Sequence, residues 1–170
     1  MDRPLLVVDA ANVVGMVPDG WWRRRAEATD LLRDALEPLA DTGMAGRDLP
    51  AELAWLAGPA LEVVLVVEGA AAGIGGSLSV RVVPARGSGD DAIVNLVTEE
   101  GGGRRTAVAT GDRALQSRVT RLGASVLPPR ALPLRARLPG DRAPRSRRRT
   151  GSSEGGDSTA TSNPSSANSV

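Results

Sequence analysis

The sequence predicts an α/β fold, a three-layer sandwich with helices on both faces of a mainly parallel five-stranded sheet. Strand-like apolar runs alternate along the chain with helix-like periods, a pattern typical of parallel sheets. The clearest runs are 4–9, apolar until Asp9 ends it, and 61–68, apolar from Val63 to Val67 and closed by Glu68, as expected of strands buried on both faces. Acidic residues at several strand ends indicate where a ligand would bind, because α/β folds bind ligands at that edge.

The first half of the chain supplies two strands and a long helix. After strand 4–9, an apolar stripe predicts a helix that starts near Asp19 and ends before Gly43, with Pro38 bending its last turn. A short helix over 51–57, strand 61–68 and a glycine-rich loop over 69–76 follow. The predicted stripe consists of Trp22, Ala26, Thr29, Leu32, Leu36 and Leu39.

The second half continues the alternation of strands and helices. Strand 78–83 precedes a helix opened by the segment 88–91 and stopped by glycines 101–103. Strand 105–109 precedes a helix opened by the segment 110–112 and closed by Gly123, and strand 124–127 ends the fold. The apolar stripe of this last helix consists of Leu115, Val119 and Leu122.

Composition separates the chain into two parts. Residues 1–138 contain the apolar periods and form the predicted domain, whereas residues 139–170 are rich in Gly, Pro, Arg and Ser and are expected to be a disordered tail. The net charge of +1 gives no global signal for nucleic acid. No apolar run is long enough for a signal peptide or a membrane span, so we expect a cytoplasmic protein without membrane contact.

Several catalytic side chains are missing from the sequence. The 170 residues contain no Cys, no His and no Tyr, and all 21 basic residues are Arg. Thiol nucleophiles, Ser-His-Asp triads, lysine Schiff bases and zinc-thiolate sites are therefore excluded within this chain. Carboxylates remain, and they bind hard cations, so an enzyme of this composition is expected to use Mg²⁺ or Mn²⁺.

Acids fall at the predicted carboxyl edge of the sheet after four of the strands. Carboxylates gathered on one edge repel each other unless a cation lies among them. Helix capping is the alternative role for Asp112, Thr110, Ser88 and Asp90, whereas Asp9 has no evident capping role. The acids in question are Asp9, Glu68, Asp90, Asp91 and Asp112, with Asn12 close behind the first.

Four short motifs resemble those of NYN domains, PIN-domain-like nucleases, and most closely their YacP-like branch. The motifs are Val8–Gly15 with Pro18–Arg23, Val66–Gly69, Gly87–Val94 and Val108–Leu115, in the family's order. The resemblance implies a Rossmann-like, PIN-like sheet and Mg²⁺- or Mn²⁺-dependent cleavage of RNA. It implies an acidic cluster of Asp9, Asp90 or Asp91, and Asp112, supported by Asn12 and Thr110. Glu68 stands where many relatives have Asp, which lengthens the side chain by one methylene.

The resulting hypothesis is metal-assisted hydrolysis of RNA, with arginines holding the phosphates. The candidate substrate-binding residues are Arg113, Arg86 and Arg23, the last beside Trp21 and Trp22, which offer a stacking surface for bases. Arg23 is also compatible with the solvent face of a helix. Two other functions fit the sequence, namely a non-catalytic RNA-binding scaffold and a phosphohydrolase acting on nucleotides.

Overall fold

The computed structural model describes residues 3–16, 24–58 and 60–133. Its strands are β1 (Leu5–Asp9), β2 (Glu62–Val67), β3 (Val80–Pro84), β4 (Thr106–Ala109) and β5 (Ser125–Leu127). Its α-helices are α1 (Ala10–Gly15), α2 (Arg25–Thr42), α3 (Gly89–Glu100) and α4 (Arg113–Arg121), and short 3₁₀ helices cover Ala51–Ala57, Gly69–Ala71 and Pro129–Ala131. Within the described residues the strands form one parallel sheet in the order β3-β2-β1-β4-β5.

The central strand β1 explains the three-layer architecture. Leu6 and Val8 pack into the core cluster that contains residues of α1 and α2. Leu5 and Val7 pack into the opposite cluster, which contains residues of α3 and α4. All four side chains are fully buried. The continuous apolar run thus serves two cores at once, and the predicted α/β sandwich with five parallel strands is confirmed.

The region between β1 and β2 differs from the prediction in two ways. Residues 10–15 form a helix that the sequence did not predict. The long helix begins at Arg25 instead of near Asp19, because Arg24 has non-helical backbone angles (φ −139°, ψ 43°). Pro38 lies inside α2, which continues to Thr42 and ends at Gly43, where φ is +61°. Of the predicted buried stripe, Ala26 is exposed and Ala28 is buried instead, while Trp22 lies outside the described residues.

The remaining elements agree with the sequence within a few residues, with one correction. Leu122 follows the end of α4 and is 45% exposed, so the buried stripe of this helix is reduced to Leu115 and Val119. Of the helices in the described ranges, none has both the length and the apolar character needed to cross a bilayer. The predicted domain limit at residue 138 and the tail over 139–170 fall outside the described part of the chain.

Candidate active site at the carboxyl edge of the sheet

Asp9, the last residue of β1, is buried and held at both carboxylate oxygens. Its Oδ1 accepts a hydrogen bond from the backbone N–H of Asn12 at 3.2 Å. Its Oδ2 accepts one from the hydroxyl of Thr110 at 2.9 Å. Asp9 is therefore the N-cap of α1, a role that the sequence analysis did not assign to it. The side chain is 93% hidden from solvent by the same arrangement that fixes its direction.

Thr110 connects Asp9 to Asp112. The threonine is fully buried, and its hydroxyl oxygen also accepts a hydrogen bond from the backbone N–H of Asp112 at 3.1 Å. The carboxylate of Asp112 caps α4 by accepting from the backbone N–H of Leu115 at 2.9 Å. One hydroxyl thus joins the end of β1 to the start of α4, although the two acids are more than a hundred positions apart in sequence.

Two further side chains hold the turn between β4 and α4. Asn12 accepts a hydrogen bond through Oδ1 from the backbone N–H of Gly111 at 2.7 Å. A Cβ on Gly111 would lie 3.1 Å from that oxygen, so the close approach favours glycine. Gln116 donates from Nε2 to the carbonyl of Thr110 at 2.9 Å, a contact that no sequence motif indicated. The backbone that carries Asp112 is therefore fixed from both sides.

At the start of α3, the capping hydrogen bond is made by Glu68, a residue distant in sequence, and not by a side chain next to the helix. Ser88 occupies the N-cap position, but its side chain makes no capping hydrogen bond. Instead, Oε2 of Glu68 accepts from the backbone N–H of Gly89 at 2.7 Å. The expectation that Ser88 or Asp90 caps this helix is therefore wrong, because the free N–H is satisfied by an acid from the end of β2. One oxygen of Glu68 is thereby committed to structure.

The neighbouring acids Asp90 and Asp91 have different surroundings. Asp91 accepts a hydrogen bond from Arg118 at 2.7 Å, and its side chain is 64% exposed. Asp90 is half-buried, and its pKa is raised by burial and then by the negative charge of Asp112, with smaller contributions from the other acids nearby. The structure therefore places Asp90 with the acids of the carboxyl edge and pairs Asp91 with α4.

The charge on Asp9 is affected by the same group of acids. Burial raises the pKa of Asp9, the hydrogen bonds from Asn12 and Thr110 oppose this rise, and the charges of Asp90 and Glu68 add to it. The charges of Asp90 and Glu68 thus act on Asp9, and those of Asp112 and Glu68 act on Asp90, which links Asp9, Glu68, Asp90 and Asp112. We call these four residues the edge acids.

The edge acids provide oxygen donors, the ligand type that Mg²⁺ and Mn²⁺ prefer. In the described ranges, however, no three or more Asp, Glu, His or Cys side chains are grouped closely enough to hold a metal ion by themselves. Mg²⁺ is commonly bound by one or two carboxylates and retains several waters. The donor set therefore fits a cation held by few direct carboxylate ligands.

The predicted substrate-binding arginines differ in position. Arg113 is exposed at the first turn of α4, directly after Asp112. Arg86 is exposed between β3 and α3 and lines a groove that also contains Asp91 and Glu99, so acids share its surroundings. Arg23, Trp21 and Trp22 lie outside the described residues.

Comparison with solved structures identifies a protein of the same fold. The crystal structure of a mutant of Rae1 (YacP) from Bacillus subtilis matches with a TM-score of 0.52 and 20% sequence identity, covering 75% of this chain and 70% of that chain. No protein-family model matches the chain, and no curated protein matches it. At this level of identity the likeness concerns the fold, so the chain has a fold similar to that of Rae1 (YacP).

Proposed function

We propose that this protein is a metal-dependent ribonuclease that hydrolyses phosphodiester bonds of RNA with Mg²⁺ or Mn²⁺. The observation that carries the proposal is the hydroxyl of Thr110, which donates to the carboxylate of Asp9 and accepts from the backbone N–H of Asp112, with Asp90 close enough for its charge to raise the pKa of Asp9. Acids kept this close cost stability unless a cation compensates them.

Three of the edge acids are the proposed cation ligands. Asp9, Asp90 and Asp112 would hold the ion directly or through water, while Glu68 adds negative charge and keeps α3 in place through Gly89. When bound, the cation polarises a phosphoryl oxygen and lowers the pKa of a water molecule. Asn12 and Thr110 keep the carboxylates in a fixed direction, so little reorganisation is needed when substrate arrives. Arg113 binds a substrate phosphate beside this centre.

One observation supports RNA as the substrate, and another supports hydrolysis by water as the mechanism. The motifs around Asp9, Glu68, Asp90 and Asp112 resemble those of nucleases that cleave RNA, and the fold is similar to that of Rae1 (YacP). The chain also lacks the Cys, His and Lys side chains that covalent mechanisms commonly use, whereas hydrolysis by cation-activated water requires none of them.

The decisive test is cleavage of a labelled RNA by purified protein with Mn²⁺ or Mg²⁺. We expect cleavage that EDTA and Asp112→Asn both abolish, since Asn retains the capping oxygen for α4 but removes the charge. Asp41→Asn, at an exposed acid near the end of α2, is the matched control and should cleave normally. RNA binding without cleavage would assign the scaffold function instead, and hydrolysis of free nucleotides with intact RNA would assign the phosphohydrolase.

Cation binding has an independent measurement. Mn²⁺ should raise the melting temperature of the wild-type protein, because a ligand that binds the folded state stabilises it by about 2.7 kcal/mol at 100 times its Kd. Asp112→Asn should lose most of that increase, and Asp41→Asn should retain it. Equal increases in all three proteins would place the cation elsewhere.

A further inference from the structure

The charge on the two helices that cover one face of the sheet is strongly asymmetric. Helix α4 carries three arginines and no acid, whereas α3 carries four acids and no base. The two helices pack side by side against the same core cluster. Asp91 pairs with Arg118, and Glu100 pairs with Arg81 and Arg104. Among the described residues this leaves Asp90 and Glu99 of α3 and Arg113 and Arg121 of α4 without an ion pair, so a polyanion that reaches the edge acids from this face is repelled along α3 and attracted along α4.

One face of α4 forms a continuous polar strip that starts at the candidate active site. Arg113, Ser117 and Arg121 follow each other at intervals of four residues, so they lie on the same face of the helix, and all three are exposed. The opposite face packs Leu115 and Val119 into the core. Eight residues of helix separate the two arginines, which is about 12 Å along the axis. We call Arg113, Ser117 and Arg121 the α4 strip.

The arginines of α4 are not equivalent. Arg118 is paired with Asp91, so its charge is already compensated. For Arg113 and Arg121, no ion pair and no side-chain hydrogen bond occurs among the described residues. Their guanidinium groups keep their donors available, and guanidinium is well suited to phosphate because it offers paired N–H groups.

We propose that the RNA strand leaving the cleavage site runs along the α4 strip, with one phosphate bound by Arg113 and a further phosphate bound by Arg121. The inference rests on the proposed function, because it takes RNA as the ligand. It extends that function by assigning the path of the bound strand over the protein surface. It also gives Arg121, at the far end of α4 from Asp112, a role in substrate binding. Contacts of this kind fix position on the backbone and do not read base sequence.

The test measures binding of an unstructured oligoribonucleotide of about 12 nucleotides in EDTA, which separates binding from cleavage. Arg121→Gln should weaken binding about threefold near physiological salt, and Arg121→Lys should restore most of it because the positive charge returns. Arg121→Gln should also lower the slope of log K against log salt by about 0.7, the value for one phosphate contact on a single strand. Arg47→Gln, an exposed arginine beyond the end of α2 in the other helical layer, is the matched control and should leave both quantities unchanged.

Failure of this inference differs from failure of the ribonuclease proposal. If Arg121→Gln binds RNA with the same affinity and salt slope as Arg47→Gln, or if the wild-type protein binds no RNA, the path along α4 is refuted. If Arg121→Gln has the expected effect but the wild-type protein leaves RNA intact with Mn²⁺ and Mg²⁺, the path is supported and catalysis is refuted.

Discussion

At the scale of single residues, Asp90 and Asp91 show how two identical side chains next to each other acquire different roles. Consecutive positions at the start of a helix point in different directions. Asp91 meets Arg118 at the surface, whereas the pKa of Asp90 is raised by its burial and by the charges of Asp112 and Glu68. We therefore assign the cation-binding role to Asp90 and a surface ion pair to Asp91.

The first prediction compares these two acids directly. Asp90→Asn should reduce the rate of RNA cleavage by about 100-fold, because a polar residue close to a metal centre commonly contributes 10- to 100-fold and this one also supplies charge. Asp91→Asn should stay within about twofold of the wild type, since exposed ion pairs contribute little. Steady-state cleavage assays on both variants provide the measurement. The assignment is reversed if Asp91→Asn is the inactive protein.

The second prediction concerns the stability of the Asp90→Asn variant. Burial and the charge of Asp112 raise the pKa of Asp90, so the folded protein binds the proton more tightly than the unfolded chain. Such a group contributes stability below its unfolded pKa, and that contribution is lost as the pH rises through the folded pKa. Asp90→Asn, measured in EDTA, should therefore have a higher melting temperature than the wild type at pH 7.

The difference in melting temperature should shrink as the pH falls to about 4, the usual pKa of an aspartate, because the wild-type carboxyl then becomes neutral as well. Thermal unfolding followed by circular dichroism at both pH values tests this. A variant that melts below the wild type at pH 7 would contradict the electrostatic cost that we assign to Asp90.

At the scale of secondary structure elements, the start of α3 is held by a contact between its first residue and the residue that follows β2. Glu68 accepts from the backbone of Gly89, and a Cβ at Gly89 would lie only 2.7 Å from the accepting oxygen. Glycine at this position allows the approach, and the approach fixes the first turn that carries Asp90. Neither residue alone has a sequence signature for this contact.

The third prediction is that Gly89→Ala destabilises the protein by about 1 kcal/mol, although alanine is the better helix former. The new methyl group displaces the end of the Glu68 side chain, which leaves the N–H of residue 89 without its acceptor. Cleavage activity should fall as well, because the turn that carries Asp90 loosens. Chemical denaturation and RNA cleavage give the two measurements.

Gly87→Ala is the matched control for this substitution. A Cβ at Gly87 meets no atom within 4 Å, so this variant should keep wild-type stability and activity. Glu68→Gln provides a second comparison, since the amide retains an acceptor oxygen and should preserve the stability of α3. If the two glycine variants behave alike, the contact between Glu68 and Gly89 has no energetic importance.

At the scale of the whole molecule, the two edges of the sheet have separate tasks. The carboxyl edge gathers acids with no arginine bonded to Asp9, Glu68 or Asp112 in the described structure. At the amino edge, by contrast, Arg104 is 11% exposed and bonds to Glu62, with Glu100 as a second partner. Arg81 contacts the same two glutamates. The ion pairs at the amino edge support stability, and the acids without such pairs at the carboxyl edge are the ones that we propose to bind a cation.

The fourth prediction is that Arg104→Gln lowers stability without changing cleavage. Burial raises the pKa of Glu62, but hydrogen bonding and the charges of Arg104 and Arg81 outweigh burial and hold this pKa below its ordinary value. A lowered pKa contributes stability above the unfolded value, and that contribution is lost as the pH falls through the folded value. The wild type should therefore melt above Arg104→Gln at pH 7, and the gap should narrow toward pH 3.

Each kcal/mol lost should lower the melting temperature by about 4 °C in a domain of this size. The value of kcat for RNA cleavage should stay at the wild-type level, since Arg104 precedes β4 and the edge acids follow the strand ends. A large decrease in kcat with an unchanged melting temperature would show that the two edges are not independent.

Much of the architecture was predictable because its signals are local. Continuous apolar runs identified the strands, and intervals of three and four identified the parts of α2, α3 and α4 that face the core. The capping role of Asp112 was also readable, because cap and helix are adjacent in sequence. The predicted start of α2 and the predicted burial of Leu122 in α4 were wrong, because helix ends depend on contacts that the periodicity of the sequence does not reveal.

What the sequence by itself determined is the α/β class, the order of the elements and the types of side chain available for chemistry. Only the tertiary structure decided that Asp9 caps α1, that Thr110 joins Asp9 to the backbone of Asp112, and that Glu68 caps α3. It also decided that Asp91 pairs with Arg118 while the charges of Asp112 and Glu68 act on Asp90. The physical reason is distance. Hydrogen bonds and charge interactions act over a few ångströms, and only folding brings residues from different parts of the chain that close together.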